Sequence, residues 1–581
     1  MSVTPSYFPQ VDTTHELVTR YGSFLGQLLV NRNINTLDEA EKFLNPQWSM
    51  VHDPFLMKDL EAAAVRLHQA IQDNERTTIY ADYDADGIPG SAALAELFDA
   101  IKYENYDVYL PHRHDEGYGI HLDALAQIKE KGTTLIISID VGITGHEAAQ
   151  WCHENNVDLI ITDHHEPLIN PNGTQNLPEP LFLINPKQEI CAYPYDMLCG
   201  AGVIFKFIQG FLMKYRDEYH IIEGWEKWLL DMIGIATLSD MVPLQNENRV
   251  FAYYGLQVIQ KTRRPGLQTL LQRSKIYIQR LTEEDITFSI TPQINAASRM
   301  SHPEDAYNTL QAKTRDEALL AVEHLQKLNT QRKMLVAQTM KDALQKLKKR
   351  KIENSIVVGS PDWQAGILGL VASKLVEHYQ VPVFAWSEEH GTIKGSCRTA
   401  QNIDLMGVMG SVPSETFLQY GGHLQAGGFS CTKESVHFLP EHIEEAVKKQ
   451  KDLHEDEDSQ ASYTIDMTLK VDEITESKYQ ELRKLAPFGV ANEKPLFLFK
   501  DIIPEKIENF GKEANHFKIT FKNSLGKSIP AIAFFKTKDS FSIPLQELKP
   551  IHIVGTIELS FFMGKKELRI SIIDLIDPTN E

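Results

Sequence analysis

Asp82, Asp84, Asp140, His164 and Asp240 each stand just behind an apolar, β-branched run. The runs are IYADYDADG (79–87), LIISIDVG (135–142), LIITDHH (159–165) and GIATLSD (234–240). Buried parallel strands read as such runs, and in open α/β sheets ligands collect at the strands' carboxyl ends. Brought together there, four carboxylates and one imidazole make a donor set for two divalent cations, and the imidazole favours Mn²⁺ over Mg²⁺. Metal pairs about 4 Å apart are a standard device for cutting phosphate esters. The chain reads as a metal-dependent phosphoesterase.

Alternation along an extended segment puts Asp82 and Asp84 on one side, so each can serve a different cation. With Asp86 they form three acids at alternating positions, which repel one another unless a cation sits between them. Asp140 can give one oxygen to each ion, although a helix cap is an equal alternative for an aspartate in this position. In Asp163-His164-His165, one histidine suits a metal, the other can donate to a phosphoryl oxygen, and Asp163 can orient a ring. Asp240 ends a helical segment, where the helix dipole disfavours an acid unless a cation is near.

Phosphate-binding candidates lie further along. Gly-rich loops are expected at 391–398 and 420–428; in KGSCRT (394–399) and YGGHLQAGG (420–428) their N–H groups, with Ser396, Arg398 and His423, can face an anion. Arg113 in PHRHDEGYG and Arg299 in INAASRM are further cations beside small residues. Near the C-terminus Phe510, His516, Phe517, Lys518, Phe521 and Lys522 interleave rings and charge. They suit single-stranded nucleic acid or the core of a barrel equally well.

The elements that must position these groups follow from patterning. From about 75 to 205, strands alternate with helical stretches, as in a doubly wound parallel sheet. A long polar helix follows, then a smaller α/β unit, then short alternating strands that read as an OB-like β-barrel. The expected division is an N-terminal segment at 1–60, a catalytic α/β domain at 61–310 and a connecting helix at 311–350. A second α/β domain follows at 351–450 and the barrel at 451–581, with the charged stretch 448–462 as a flexible linker.

At 581 residues the chain is too long for a single core. No apolar run approaches a membrane span, the N-terminus lacks a secretory pattern, and the five cysteines have no metal-ligand spacing. A cytoplasmic protein with reduced thiols is expected. The net charge of −21 opposes a nucleic-acid partner, but two M²⁺ ions would offset four of the acids, and a cleft can be positive on an acidic protein.

DYDADG, SIDVG, TDHH and ATLSD resemble the four motifs of the DHH phosphoesterase superfamily, and GGHLQAGG resembles its companion DHHA1 domain. PHRHDEGYG, INPK, CGAGV, PQINAASRM, GSPDWQAGILGLVASKL, KGSCR and LAPFGVANEKP are similar to the RecJ-like, single-strand-specific exonucleases within it. The resemblance implies one ion on Asp82 and Asp140 and another on Asp84, Asp140, His164 and Asp240. His165 would touch the scissile phosphate, with Asp86 behind the ligands and His423 reaching in from the DHHA1 domain. Arg113, Arg299, Gln331, Ser396 and Arg398 would grip the substrate and its 5′ phosphate. It further implies a monomer digesting single-stranded DNA 5′→3′ to mononucleotides in repair and recombination. A single-strand-binding protein and a helicase are its expected partners.

The chain departs from the pattern at Thr78, where small-substrate members carry a histidine, and at Ser298 and Gly427. Thr78 leaves the first ion with fewer protein ligands. A small-substrate DHH phosphodiesterase and a non-catalytic nucleic-acid-binding scaffold are the alternative readings.

Overall fold

The structure, a computed structural model, describes residues 5–348, 350–399, 403–453, 463–511, 514–541, 543, 545–562 and 565–578. The chain divides into two compact units. The larger is Val51–Val242 with Asn246–Ser459, and the smaller is Met1–Met50, Pro243–Gln245 and Gln460–Glu581.

The larger unit opens on a five-stranded parallel sheet. Its strands are β1 (Arg76–Ala81), β2 (Tyr106–Tyr109), β3 (Thr133–Ile139), β4 (Asp158–Thr162) and β5 (Phe182–Ile184), in the order β2-β1-β3-β4-β5. Helices cover both faces, so β1 and β3 are buried almost throughout, Thr77, Thr78, Thr133 and Ser138 included. On one side Leu125, Ile128, Ala148 and Cys152 pack on Ile136, Leu159 and Ile161.

On the other side lie α1 (Gly87–Ala100) and α2 (Gly200–Tyr215), themselves buried on most faces, with α3 (Leu230–Ser239) packed against them. The link from β1 into α1 demands Gly87: a Cβ there would stand 2.3 Å from the Asp82 carbonyl oxygen. After α4 (Thr291–Met300) comes the expected long helix, α5 (Arg315–Leu347). A capping box between Thr314 and Glu317 starts it, and its 33 residues span about 50 Å. Its last turns place Val336, Ala343 and Leu347 in the core of the second α/β domain.

That domain holds β6 (Ile356–Gly359), α6 (Leu368–Tyr379), β7 (Val383–Glu389), β8 (Thr392–Arg398), β9 (Gln419–His423) and β10 (Ala426–Cys431). The sheet order is β9-β10-β8-β7-β6, and only β6 and β7 run parallel. The two segments expected to be Gly-rich loops, 391–398 and 420–428, are therefore mostly strand. Three of their glycines, Gly395, Gly422 and Gly427, stand at close approaches: a Cβ on Gly395 would fall 2.0 Å from the Phe429 ring.

In the smaller unit β11 (Met467–Leu469), β12 (Phe497–Ile502), β13 (Lys506–Phe510), β14 (His516–Lys522), β15 (Ser528–Ala533), β16 (Ile551–Phe562) and β17 (Lys565–Ile576) form one sheet. Its order is β11-β12-β16-β17-β15-β14-β13. The helix Glu16–Val30 closes its core, with Phe24 stacked on Phe497 at 5.8 Å. Phe517 and Phe521 are core residues, while Phe510, His516, Lys518 and Lys522 are partly or fully exposed. Of the segment 448–462, the first six residues continue a helix, Leu439–Leu453, and 454–462 lie outside the described residues. All five cysteines are free thiols, and no described helix is long and apolar enough to cross a membrane.

Candidate active site

β1 lies between β2 and β3, so consecutive connections leave it in opposite directions, and its carboxyl end marks the switch point of the sheet. The acids continue the ladder one residue past each strand. Asp82 N–H donates to the Ile139 carbonyl (3.1 Å), Asp140 N–H to Thr162 (2.9 Å) and Asp163 N–H to Ile184 (3.1 Å). These bonds lock the register of three carboxylates contributed by three neighbouring strands.

Asp140 stands at the centre. Its backbone is left-handed (φ 62°), a geometry uncommon outside glycine and concentrated at functional sites. α2 begins directly against it: a Cβ at Gly200 would lie 2.6 Å from Asp140 Oδ1. Asp86 accepts the N–H groups of Gly200 (2.6 Å) and Ala201 (2.8 Å), so it ties the amino end of α2 into the site. Asp84 Oδ1 accepts the N–H groups of Asp86 (2.8 Å) and Gly87 (3.2 Å) at the start of α1.

His164 Nε2 lies 3.1 Å from Asp140 Oδ1, 3.6 Å from Asp240 Oδ2 and 3.8 Å from Asp86 Oδ2. The Leu198 carbonyl hydrogen-bonds the same ring and leaves Nε2 bare. Asp163, fully buried, accepts from the N–H groups of Ile143 (2.8 Å) and His164 (2.7 Å) and from His165 Nδ1 (2.8 Å). Three donor sets result: Asp82, Asp84 and Asp140; Asp86, His164 and Asp240; Asp140, His164 and His165. The ligand atoms of each lie within 4.8 Å of one another.

This donor set fits divalent metal. Asp82 Oδ1, Asp140 Oδ1 and His164 Nε2 are buried without a hydrogen-bond partner, a costly condition that a cation between them relieves. Burial, and then the neighbouring carboxylates, push the carboxyls of Asp82, Asp86, Asp140 and Asp240 up. Burial holds the His164 imidazole neutral, the form that ligates. At His165 burial acts the same way, but the ion pair with Asp163 outweighs it and raises the ring to about 9.

Beside this centre sits a group of arginines. Burial, and then the charges of Arg113, Arg332 and Arg398, bring the Arg299 guanidinium down to about 9. Arg113 stacks over the Tyr83 ring at 4.9 Å, between Asp82 and Asp84. Arg299 donates to the Gly366 carbonyl (3.0 Å), Arg398 to that of Cys397 (2.7 Å) and Arg332 to Asn329 Oδ1 (3.2 Å). Among the described residues Arg299, Arg332 and Arg398 make no ion pair with a carboxylate, so the cluster keeps its charge for an anion. Ser396 Oγ lies 3.4 Å from Arg398, and Gln331 and Arg299 line a cavity of about 810 Å³. His423 is the last residue of β9; its side chain lies outside the described residues.

Sequence reasoning overlooked Arg332, a single cation on a polar helix with nothing to mark it. It also passed over Tyr118, whose hydroxyl lies 3.2 Å from His165 Nδ1. Gly200 was visible only as part of CGAGV.

The family model of the DHH family's N-terminal domain matches residues 76–237, the DHHA1 domain 353–455 and the RecJ OB domain 465–574. The single-stranded-DNA-specific exonuclease RecJ of Bacillus subtilis is 32% identical over 95% of this chain and 67% of its own length. The proteins of the same name from Haemophilus influenzae and Escherichia coli are 27% and 26% identical. They align over 96% and 98% of this chain, and over the same shares of their own lengths. The crystal structure of Thermus thermophilus RecJ with Mn²⁺ superposes with a TM-score of 0.81 at 23% identity, over 99% of this chain and 79% of that one. A manganese-bound exonuclease RecJ gives a TM-score of 0.61 at 26% identity, over 71% of this chain and 99% of that one.

Proposed function

Because the chain belongs to the RecJ family of single-stranded-DNA-specific exonucleases, we propose that it digests single-stranded DNA 5′→3′ to mononucleotides at a centre holding two divalent cations. The observation that carries this reading is the shared location of two opposite chemistries. A carboxylate–imidazole centre with orphaned ligand atoms lies beside a cluster of arginines that have no carboxylate partners among the described residues.

Asp82 and Asp140 would hold one cation, and Asp84, Asp140, His164 and Asp240 the other, with Mn²⁺ favoured by the imidazole. The chemistry such ions supply is a water that ionises near neutral pH and relief of charge on the phosphoryl group. The protein does the rest. Asp86 fixes α2 behind His164, and Asp163 keeps His165 protonated and aimed, so that the ring can donate to a nonbridging oxygen of the scissile phosphate. Water adds to phosphorus as the bond to the 3′ oxygen breaks. A mononucleotide leaves, and the next nucleotide bears the new 5′ phosphate.

Arg113, Arg299, Arg398, Ser396 and Gln331 would clamp the terminal phosphate, which sets the direction of travel, and His423 would approach from the second α/β domain. The protein would act as a monomer on strands opened by a helicase or covered by single-strand-binding protein.

A 3′-labelled single strand with a 5′ phosphate, incubated with Mn²⁺ beside a blunt duplex and the Asp84→Ala variant, tests the proposal. Stepwise shortening of the single strand alone, with the label retained until late, is expected. Turnover of dinucleotides without digestion of the long strand would instead place the protein with small-substrate phosphodiesterases.

A further inference from the structure

Asp240 leads directly into Met241, whose backbone is left-handed (φ 58°) and whose side chain is 67% exposed. A π-helical turn, Ile286–Ile290, packs on the end of α3. Thr287 Oγ1 donates to the Leu238 carbonyl at 3.5 Å, and the hydroxyls of Ser239 and Thr291 are 2.5 Å apart. Ile286 and Ile290 anchor the turn in the core, whereas Phe288 between them is 72% exposed. Two large apolar side chains are thus held open to water at the end of α3 that carries Asp240. One rests on a strained residue and the other on a wide helical turn of a kind that recurs at functional sites. Neither exposure serves the core.

α4 gives the scale. Thr291, beside Ser239, is its first residue, and Arg299, in the arginine cluster, is its ninth. Eight residues of helix span about 12 Å, roughly two extended nucleotides. The end of α3 that carries Asp240 thus stands about 12 Å from Arg299, the reach needed for a strand held at the clamp to pass the metal centre with its next nucleotides beside Met241 and Phe288.

We propose that Phe288 and Met241 form an apolar shelf for the bases of the nucleotides immediately 3′ of the scissile phosphate. The inference rests on the exonuclease reading above. A ring accepts the face of any base, so the shelf grips a strand without reading its sequence. In a duplex those faces are stacked and paired, so the same contact favours single strands.

The test pairs protein variants with substrates lacking single bases. Strands of 20 nucleotides with a 5′ phosphate and a 3′ label would carry one tetrahydrofuran abasic residue at position 2, 3 or 8. For the wild type, an abasic residue at 2 or 3 should lower kcat/KM for the first cleavages about tenfold, and one at 8 should not. Phe288→Ala should lose about tenfold on the intact strand and show no further loss from the abasic residue at 2 or 3. Phe288→Trp should restore both the rate and the sensitivity. Equal slowing of intact and abasic strands by Phe288→Ala, or no slowing, overturns the shelf. Failure of the wild type to digest the intact strand removes the exonuclease reading, and the shelf with it.

Discussion

Asp140 belongs to two of the three donor sets, and its neighbours show why charge dominates this site. Without metal, burial and mutual repulsion keep protons on Asp82, up to about 8, and on Asp86, up to about 7. In the unfolded chain both would ionise near 4. The native state therefore binds more protons than the unfolded state across this window, and stability falls as pH rises. The metal-free protein is expected to melt at progressively lower temperature from about pH 5 to pH 8. Saturating Mn²⁺ should raise the melting temperature most at the alkaline end, because the cation replaces those protons. Differential scanning calorimetry across that range checks both trends. An Asp84→Ala/Asp140→Ala variant should show a flatter pH dependence and little response to metal.

His165 and Asp163, by contrast, are held in their charged forms. The imidazole, raised to about 9, contributes stability that is full below its ordinary value near 6.5 and is lost as pH climbs through 9. Burial alone would raise Asp163, but the histidines and backbone N–H groups outweigh it and hold the carboxylate low. Its share is therefore present above about 4 and lost in stronger acid. Asp163→Asn removes the counter-charge and leaves the burial. In the metal-free variant the His165 resonance, followed by NMR, should titrate below about 6.5, and activity should drop about 10–100-fold. An unchanged titration would mean that Asp163 does not hold the proton on His165.

At the level of elements, helix ends aimed at strand ends do most of the positioning. Gly200→Ala is the sharpest test, since the new methyl would lie 2.5–2.7 Å from three atoms of the Asp140 side chain. Either the start of α2 retreats, releasing the carboxylate of Asp86, or Asp140 turns away from its partners. Overpacking of this kind costs about 1–3 kcal/mol, so the fold should survive. Mn²⁺ affinity, measured by titration calorimetry, should fall by at least about tenfold with kcat/KM. Retention of both would show that α2 does not set the geometry of Asp140.

The strand-borne part of this arrangement was legible in the sequence, because parallel strands buried on both faces advertise themselves and the acids follow at once. Asp240 was legible only through its company, as one acid at a helix end. The glycines of 391–398 and 420–428 misled, because the residue that permits a tight turn also permits a ring to lie on a strand. Gly395 does the second. Arg332 and Phe288 gave no signal, since what distinguishes them is exposure and neighbours rather than residue type.

Across the whole molecule, the least legible feature is that the two ends of the chain share one core. The first 50 residues offer one short helical stretch, EAEKFLNPQ (39–47), and little chemistry, yet Phe24, Leu25, Leu28 and Leu29 are buried with Phe497, Phe499 and Phe517, some 470–490 residues away. Pairing so distant in sequence leaves no local pattern that joins the two ends, and closing so long a loop carries an entropic cost. The larger unit has its own cores around the parallel sheet and the second α/β domain, each built from residues within 51–459. Deleting residues 1–50 should therefore damage one unit and spare the other. Each truncated core leucine or phenylalanine costs about 2–5 kcal/mol, so losing four, about 8–20 kcal/mol, is comparable with the whole stability of a domain, about 5–15 kcal/mol. Limited proteolysis followed by mass spectrometry should show residues 463–578 digested while a fragment near 51–453 persists. That fragment should keep its Mn²⁺-dependent thermal shift, because every proposed ligand lies in it. Protection of 463–578 in the deletion variant would mean that the C-terminal sheet closes its core without the N-terminal helix.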